Sequence, residues 1–146
     1  MAKLTTSTSV RAELLDRLSG ARVKEAALLA KQGFHATAIY LGGYAVECLL
    51  KAMICRRLDQ EALPVMFHSH DLEALLFFSG LTRRMEANKP VHRSFAKVKD
   101  MWKLDTDQSI RYRDPASVGE KDWRLFFRWL NHEKVGVMAW LRSQKI

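Results

Sequence analysis

Glu47 and Lys51 stand four residues apart in a stretch that is otherwise almost wholly apolar. From Ala38 to Ile54 nearly every position is Ala, Val, Leu, Ile, Met, Cys, Gly or Tyr. A helix that is apolar all round is a buried one. A charged side chain on such a helix needs a partner or a use. With the Glu on the N-terminal side, the i, i+4 spacing is the favourable orientation for a pair within one helix. Two readings stay open: a self-contained ion pair on the one wet stripe of a core helix, or a pair that faces a polar pocket. Spacing alone favours the first, because structural ion pairs also occupy such sites.

The histidines offer less. His35 begins a helix and reads as a solvated or capping residue. His68 and His70 flank Ser69 at a helix start, a spacing poor for a metal within a helix and better suited to capping. His92 lies in a basic connection. Arg128 and His132 are i, i+4 neighbours, with Arg124 on the same stripe, which reads first as a solvated basic face. No phosphate-cradling glycine loop, Ser/His/Asp set or pair of catalytic carboxylates stands out. No cofactor or metal is expected.

The chain has 146 residues, the length of one domain, 1–146, with an expected disordered tail over 1–8. Hydrophobic residues make up 48% and charged ones 27%, a balance that excludes disorder as the default. The formal net charge of +8 makes an anionic partner plausible, nucleic acid before membrane. The excess is spread, however: nine Lys/Arg against five acids in residues 1–60, six against five in 61–100 and nine against six in 101–146. Charge alone is therefore a weak argument for nucleic acid. The two cysteines, Cys48 and Cys55, are separated by about 10 Å of helix rise, too far for a disulfide. They read as small buried hydrophobes in a reducing cytoplasm. The polar N-terminus lacks the apolar core of a signal peptide, and His35, Glu47 and Lys51 interrupt the long apolar run, so no membrane partner is expected.

These residues must be positioned by helices. Val10 to Lys31 is periodic, with N-caps offered by Ser7, Thr8 and Ser9, a kink expected at Ser19-Gly20 and a stop at Gln32-Gly33. Phe34 to Leu58 is the second helix and should be the most buried. Gly42-Gly43 inside it costs about 1 kcal/mol per glycine against alanine, so a neighbouring helix should pass close by. A third helix starts at Ser69 or His70 and runs to Ser79-Gly80. A basic, weakly periodic stretch holds Arg83, Arg84, Lys89 and Arg93, and Phe95, Val98, Met101 and Trp102 mark a fourth helix. Asp105 to Pro115 is an irregular charged connection. Ser117-x-x-Glu120 predicts a capping box for the last helix, whose stripe is Trp123, Phe127, Leu130, Val137 and Leu141. Nothing reads as a strand. The expectation is all-α: an antiparallel bundle of four to five helices. Trp123, Phe126, Phe127, Trp129, Trp140 and Leu141 cover more than half of the last helix, which predicts a homodimer.

The run Tyr40 to Ala52, with Gly42-Gly43-Tyr44-Ala45-Val46-Glu47 and Leu50-Lys51-Ala52, is followed by His70-Asp71-Leu72 with Leu75, and then by Arg111-Tyr112. In that order the three elements resemble the HEPN domain, across roughly Ala21 to Leu141. The resemblance implies a small, often dimeric helical bundle. Many members are metal-independent endoribonucleases of toxin–antitoxin, abortive-infection and CRISPR systems. Others are nucleotide-binding or noncatalytic, and several are encoded beside a minimal nucleotidyltransferase. The ribonucleases carry an Arg followed by His after four to six residues, a spacing absent before all five histidines here. The resemblance therefore implies a noncatalytic or partner-dependent module that binds nucleotide or RNA. A divergent metal-independent ribonuclease toxin and a structural dimerisation module are the alternatives. Candidate binding residues are Glu47, Lys51, His70, Arg111, Tyr112, Arg124, Arg128 and His132. If the Arg111-Tyr112 connection folds back on the second helix, Arg111 could pair with Glu47 and Tyr112 could lend its hydroxyl.

Overall fold

A computed structural model describes residues 7–104 and 106–146; most of the tail expected over 1–8 lies outside the described residues. The chain is mostly helical, as its periodicity predicts. Ala12–Lys31 (α1) and His35–Arg57 (α2) form an antiparallel hairpin. α1 ends in a Schellman arrangement, with Gly33 in the left-handed region (φ 87°) donating to Ala30 O and Phe34 N donating to Leu29 O. It runs through Ser19-Gly20 as one continuous helix. Fifteen residues of α2 are buried, and every other long element packs on it. By length and apolarity alone α2 could cross a membrane, yet 83% of its most apolar window is covered by the rest of the protein.

The double glycine of α2 does what its cost implied. A Cβ on Gly42 would lie 2.6 Å from Phe126 Cε1, and one on Gly43 would overlap the indole of Trp102. Trp102 lies on Lys89–Trp102 (α5) and Phe126 on Glu120–Asn131 (α6), so α2 has a bare strip against which two aromatic helices close. The Trp102 indole N–H donates to Tyr40 O at 2.9 Å, satisfying the one polar atom of that ring.

Four expectations are corrected. Ser7–Arg11 is not a helix cap but a strand (β1), antiparallel to Ala62–Pro64 (β2), with Thr8 Oγ1 donating to Leu63 O. The third helix is shorter than expected, Leu72–Phe78 (α3), and the basic stretch that follows is itself helical, Thr82–Ala87 (α4), leading into α5. The N-terminus of α6 is closed by Asp122, whose carboxylate accepts the Gly119 N–H at 2.9 Å, while Ser117 belongs to a preceding 3-10 turn. Finally, the last helix is two, α6 and Val137–Ser143 (α7). Gly136 N–H donates to His132 O at 2.8 Å, and a Cβ on Gly136 would collide with the His132 backbone, so only glycine permits this corner. The six aromatic and apolar residues read as one crowded stripe are thus shared between two helices. Trp123, Phe126 and Leu141 are buried, and Phe127, Trp129 and Trp140 are half-buried. The large apolar side chains left exposed include Leu125 on α6 and, away from these two helices, Met66, Phe77 and Phe78.

α7 is tied back onto the hairpin by Asp16. Its carboxylate accepts from Arg142 at 3.0 Å and from Arg56, while Arg142 also donates to Ser19 Oγ at 2.7 Å. Partial burial works against the Asp16 charge, but the two guanidinium groups outweigh it and hold the carboxyl below its usual range.

Gly43→Ala should destabilise the protein by about 1–3 kcal/mol through overpacking against Trp102. The usual effect of Gly→Ala within a helix is a gain of about 0.5–1 kcal/mol. Urea unfolding reads the sign directly.

Candidate functional site

Glu47 is 1% exposed and Lys51 5%, on the face of α2 that meets the start of α3. Lys51 Nζ donates to Glu47 Oε2 at 2.9 Å, the pairing that the i, i+4 spacing predicts. The other carboxylate oxygen is not spare. Oε1 lies 2.6 Å from Nδ1 of His70, 23 residues further along the chain. An ionised carboxylate only accepts, so Nδ1 carries the proton and Nε2 is the nitrogen left for a ligand. His70 therefore does not cap α3. Asp71 does, its Oδ1 accepting from Ala74 N at 3.1 Å, while Ser69 Oγ accepts from Asp71 N. His68 is exposed.

The His70 side chain is 40% exposed and forms part of the wall of a cleft of about 490 Å³. The cleft lies where the first turn of α3 (Asp71, Leu72, Glu73) faces the last turn of α5 (Lys99, Asp100, Trp102, Lys103), with Thr106, Asp107 and Gln108 closing the side. Both readings of Glu47 and Lys51 are therefore partly right. The pair is buried and mutually satisfied, and through His70 it reaches a polar cavity. A second hollow of about 300 Å³ shares Asp100, Lys103, Asp107 and Gln108 and extends towards Ser109, Tyr112 and Arg113.

The Arg111-Tyr112 connection does return to α2, but through Ile110, which is buried. Its neighbours then point outward. Arg111 donates to Leu104 O at 3.3 Å and stands 5.7 Å from the Tyr112 ring, and Tyr112 is 72% exposed. Neither contacts Glu47, whose polar partners among the described residues are Lys51 and His70.

Arg124, Arg128 and His132 are not brought to the cleft. Arg124 is exposed and pairs with Glu120 at 3.3 Å. His132 is a structural cap: its Nδ1 accepts from Lys134 N at 3.0 Å and from Val135 N at 3.2 Å. Arg128 is exposed on α6, one residue before Trp129. Lys97 of α5 stands over the Trp129 ring at 5.8 Å. That contact packs α6 against the basic face of α5, while Arg124 and Arg128 lie on the other flank of α6 from Trp129. Lys89, Arg93 and Lys97 recur every four residues, about 6 Å of rise each, and all are exposed. Asp100, one turn further on, already lines the cleft. Arg84 is otherwise engaged, donating to Lys145 O at 2.8 Å.

No group of three or more His, Cys, Asp or Glu residues is arranged to hold a metal ion among the described residues. Cys48 and Cys55 are free and buried, and desolvation pushes the Cys48 thiol up to about 11, which keeps it protonated and inert. Sequence reading missed Lys99, Asp100, Lys103, Asp107 and Gln108. For Lys103, Asp107 and Gln108 the signal is the charged, irregular stretch after Trp102; Lys99 and Asp100 lie inside α5 and carry none.

Glu47→Ala and Lys51→Ala should each cost about 3–5 kcal/mol, because each strands the other charge in the core. In thermal denaturation that is a loss of roughly 10 °C. The double variant Glu47→Met/Lys51→Met should recover most of it, since a buried pair replaced by apolar volume is often neutral. A melting temperature unmoved by the single alanines would mean the pair is solvated. No family model matches the chain, and neither a curated protein nor a solved structure matches it.

Proposed function

We propose that the chain is a HEPN-like module that binds a nucleotide or RNA and does not cut it unaided. The observation that carries this reading is the position of His70. Its Nδ1 is fixed by a buried carboxylate, and its ring stands in a cleft of nucleotide size at the end of the α5 basic stripe. A histidine so held is preorganised, since the Glu47 side chain is itself locked by Lys51 and by packing. The stripe of Lys89, Arg93 and Lys97 supplies phosphate contacts, with the half-buried Trp129 packed beside Lys97, and Arg128 is a further exposed cation on α6. His132, the histidine nearest Arg128 in sequence, has its Nδ1 occupied by the Lys134 and Val135 N–H groups of the turn that follows α6. That supports the noncatalytic reading over the ribonuclease one. On the same reading the module works in the cytoplasm as a homodimer, in a toxin–antitoxin or defence setting with a nucleotidyltransferase partner.

Fluorescence polarisation with a labelled single-stranded RNA of mixed sequence should show binding that weakens steeply with salt. Each phosphate contact contributes about 0.7 to the slope of log K against log salt for single strands. Arg93→Ala/Lys97→Ala/Arg128→Ala should therefore flatten the slope by about 2. RNA run on a gel after the same incubation in chelator should stay intact. Absence of binding at low salt would overturn the reading. Cleavage lost in His70→Ala would replace it with the ribonuclease alternative.

A further inference from the structure

Resting on the nucleotide-binding reading, we propose that the His70 cleft takes the base of its nucleotide and not the phosphate, and that the base it favours is guanine. Four carboxylates face the cleft, those of Asp71, Glu73, Asp100 and Asp107, against the two ammonium groups of Lys99 and Lys103. This is an acidic hollow on a protein of net charge +8.

Most of these groups are already engaged. The Asp71 carboxylate accepts the Ala74 N–H, which closes the first turn of α3, and Lys99 Nζ donates to Glu73 at 3.0 Å. What remains is Asp100 and Asp107 as acceptors, Lys103 and the Gln108 side-chain amide as donors, and Nε2 of His70. Neither Asp100 nor Asp107 has a side-chain hydrogen bond or ion pair among the described residues. The last turn of α5 also borders the cleft, and its free carbonyls add partial negative charge there.

A phosphate placed in this hollow meets two unpaired carboxylates and the C-terminus of α5, against one lysine and a first turn of α3 whose positive end Asp71 and Glu73 already offset. The better place for it is outside, on Lys97, Arg93 and Arg128, where exposed cations are plentiful. A nucleobase meets the opposite balance. Guanine presents N1–H and its N2 amino group side by side, two parallel donors that match the two oxygens of one carboxylate, with O6 as an acceptor beside them. Lys103 or Gln108 can donate to O6. Uracil offers a single ring N–H, while adenine and cytosine each offer an amino group beside an acceptor nitrogen, which a carboxylate repels. A volume of about 490 Å³ admits one base with its sugar. Such a base must be unpaired, since its Watson–Crick edge is the edge being read.

The test is isothermal titration of the whole protein with GMP, IMP, AMP, CMP and UMP at one low salt concentration. GMP should bind about tenfold more tightly than AMP, CMP or UMP, the discrimination expected of one good two-bond contact. IMP, which keeps N1–H and O6 but lacks the N2 amino group, should fall between. Asp100→Asn or Asp107→Asn, both at exposed positions, should remove the GMP advantage and leave AMP binding unchanged or improved. His70 imidazole resonances should move with GMP and stay still with inorganic phosphate. Equal affinity for all five nucleotides, or inorganic phosphate shifting His70 as GMP does, would overturn base selection and leave nucleotide binding intact. No binding of any nucleotide or of RNA would overturn both.

Discussion

The buried carboxylate of Glu47 is the constraint on which the rest of this molecule turns. It lies in the middle of the most apolar helix of the protein, where an unpaired charge would cost several kcal/mol. Two donors make it tolerable, and they do different things. Lys51 comes from one turn along the same helix and balances the charge locally. His70 comes from a separate segment, so satisfying Glu47 also fixes where the chain must be just before α3 begins. Because α3 starts there, its first turn is held facing the last turn of α5, and the cleft between them follows.

Packing against α2 sets the other wall. The glycine pair in α2 lets Trp102 and Phe126 lie against bare backbone, and Trp102 is the final residue of α5. The end of α5 is therefore pinned by its largest side chain. Lys103, with φ at 43°, then turns the chain away in the left-handed conformation, which is unusual for a residue with a side chain. The polar residues after it close the cleft on its open side. A buried charge and a pair of glycines, each costly alone, together position the polar hollow that His70 lines.

How far this was legible varies by element. The all-round apolarity of α2 and the i, i+4 order of Glu47 and Lys51 are local patterns, and both held. Gly42-Gly43 announced a close helix neighbour without saying which. His70 could not be matched to Glu47 by spacing, because the contact spans 23 residues and depends on the path between α2 and α3. β1 was missed because Ser-Thr-Ser-Val-Arg has no alternation of its own; β2 and the Thr8 hydroxyl define it. The split of the last helix did leave a mark, Gly136, whose lack of a side chain is what the corner needs. The pairing of Arg111 with Glu47 was conditional on their segment folding back on α2; the segment does return, yet it is the preceding Ile110 that buries, and Arg111 and Tyr112 face out.

The cleft depends on the direction of one hydrogen bond, from His70 Nδ1 to Glu47. Long-range nitrogen–proton correlation spectra of histidine-labelled protein read which imidazole nitrogen carries the proton. The expected result is an Nδ1–H resonance for His70 at neutral pH, protected from fast solvent exchange and lost in the Glu47→Met/Lys51→Met variant. A His70 ring in the Nε2–H form, or one whose signals match a free histidine and do not respond to that double substitution, would contradict it.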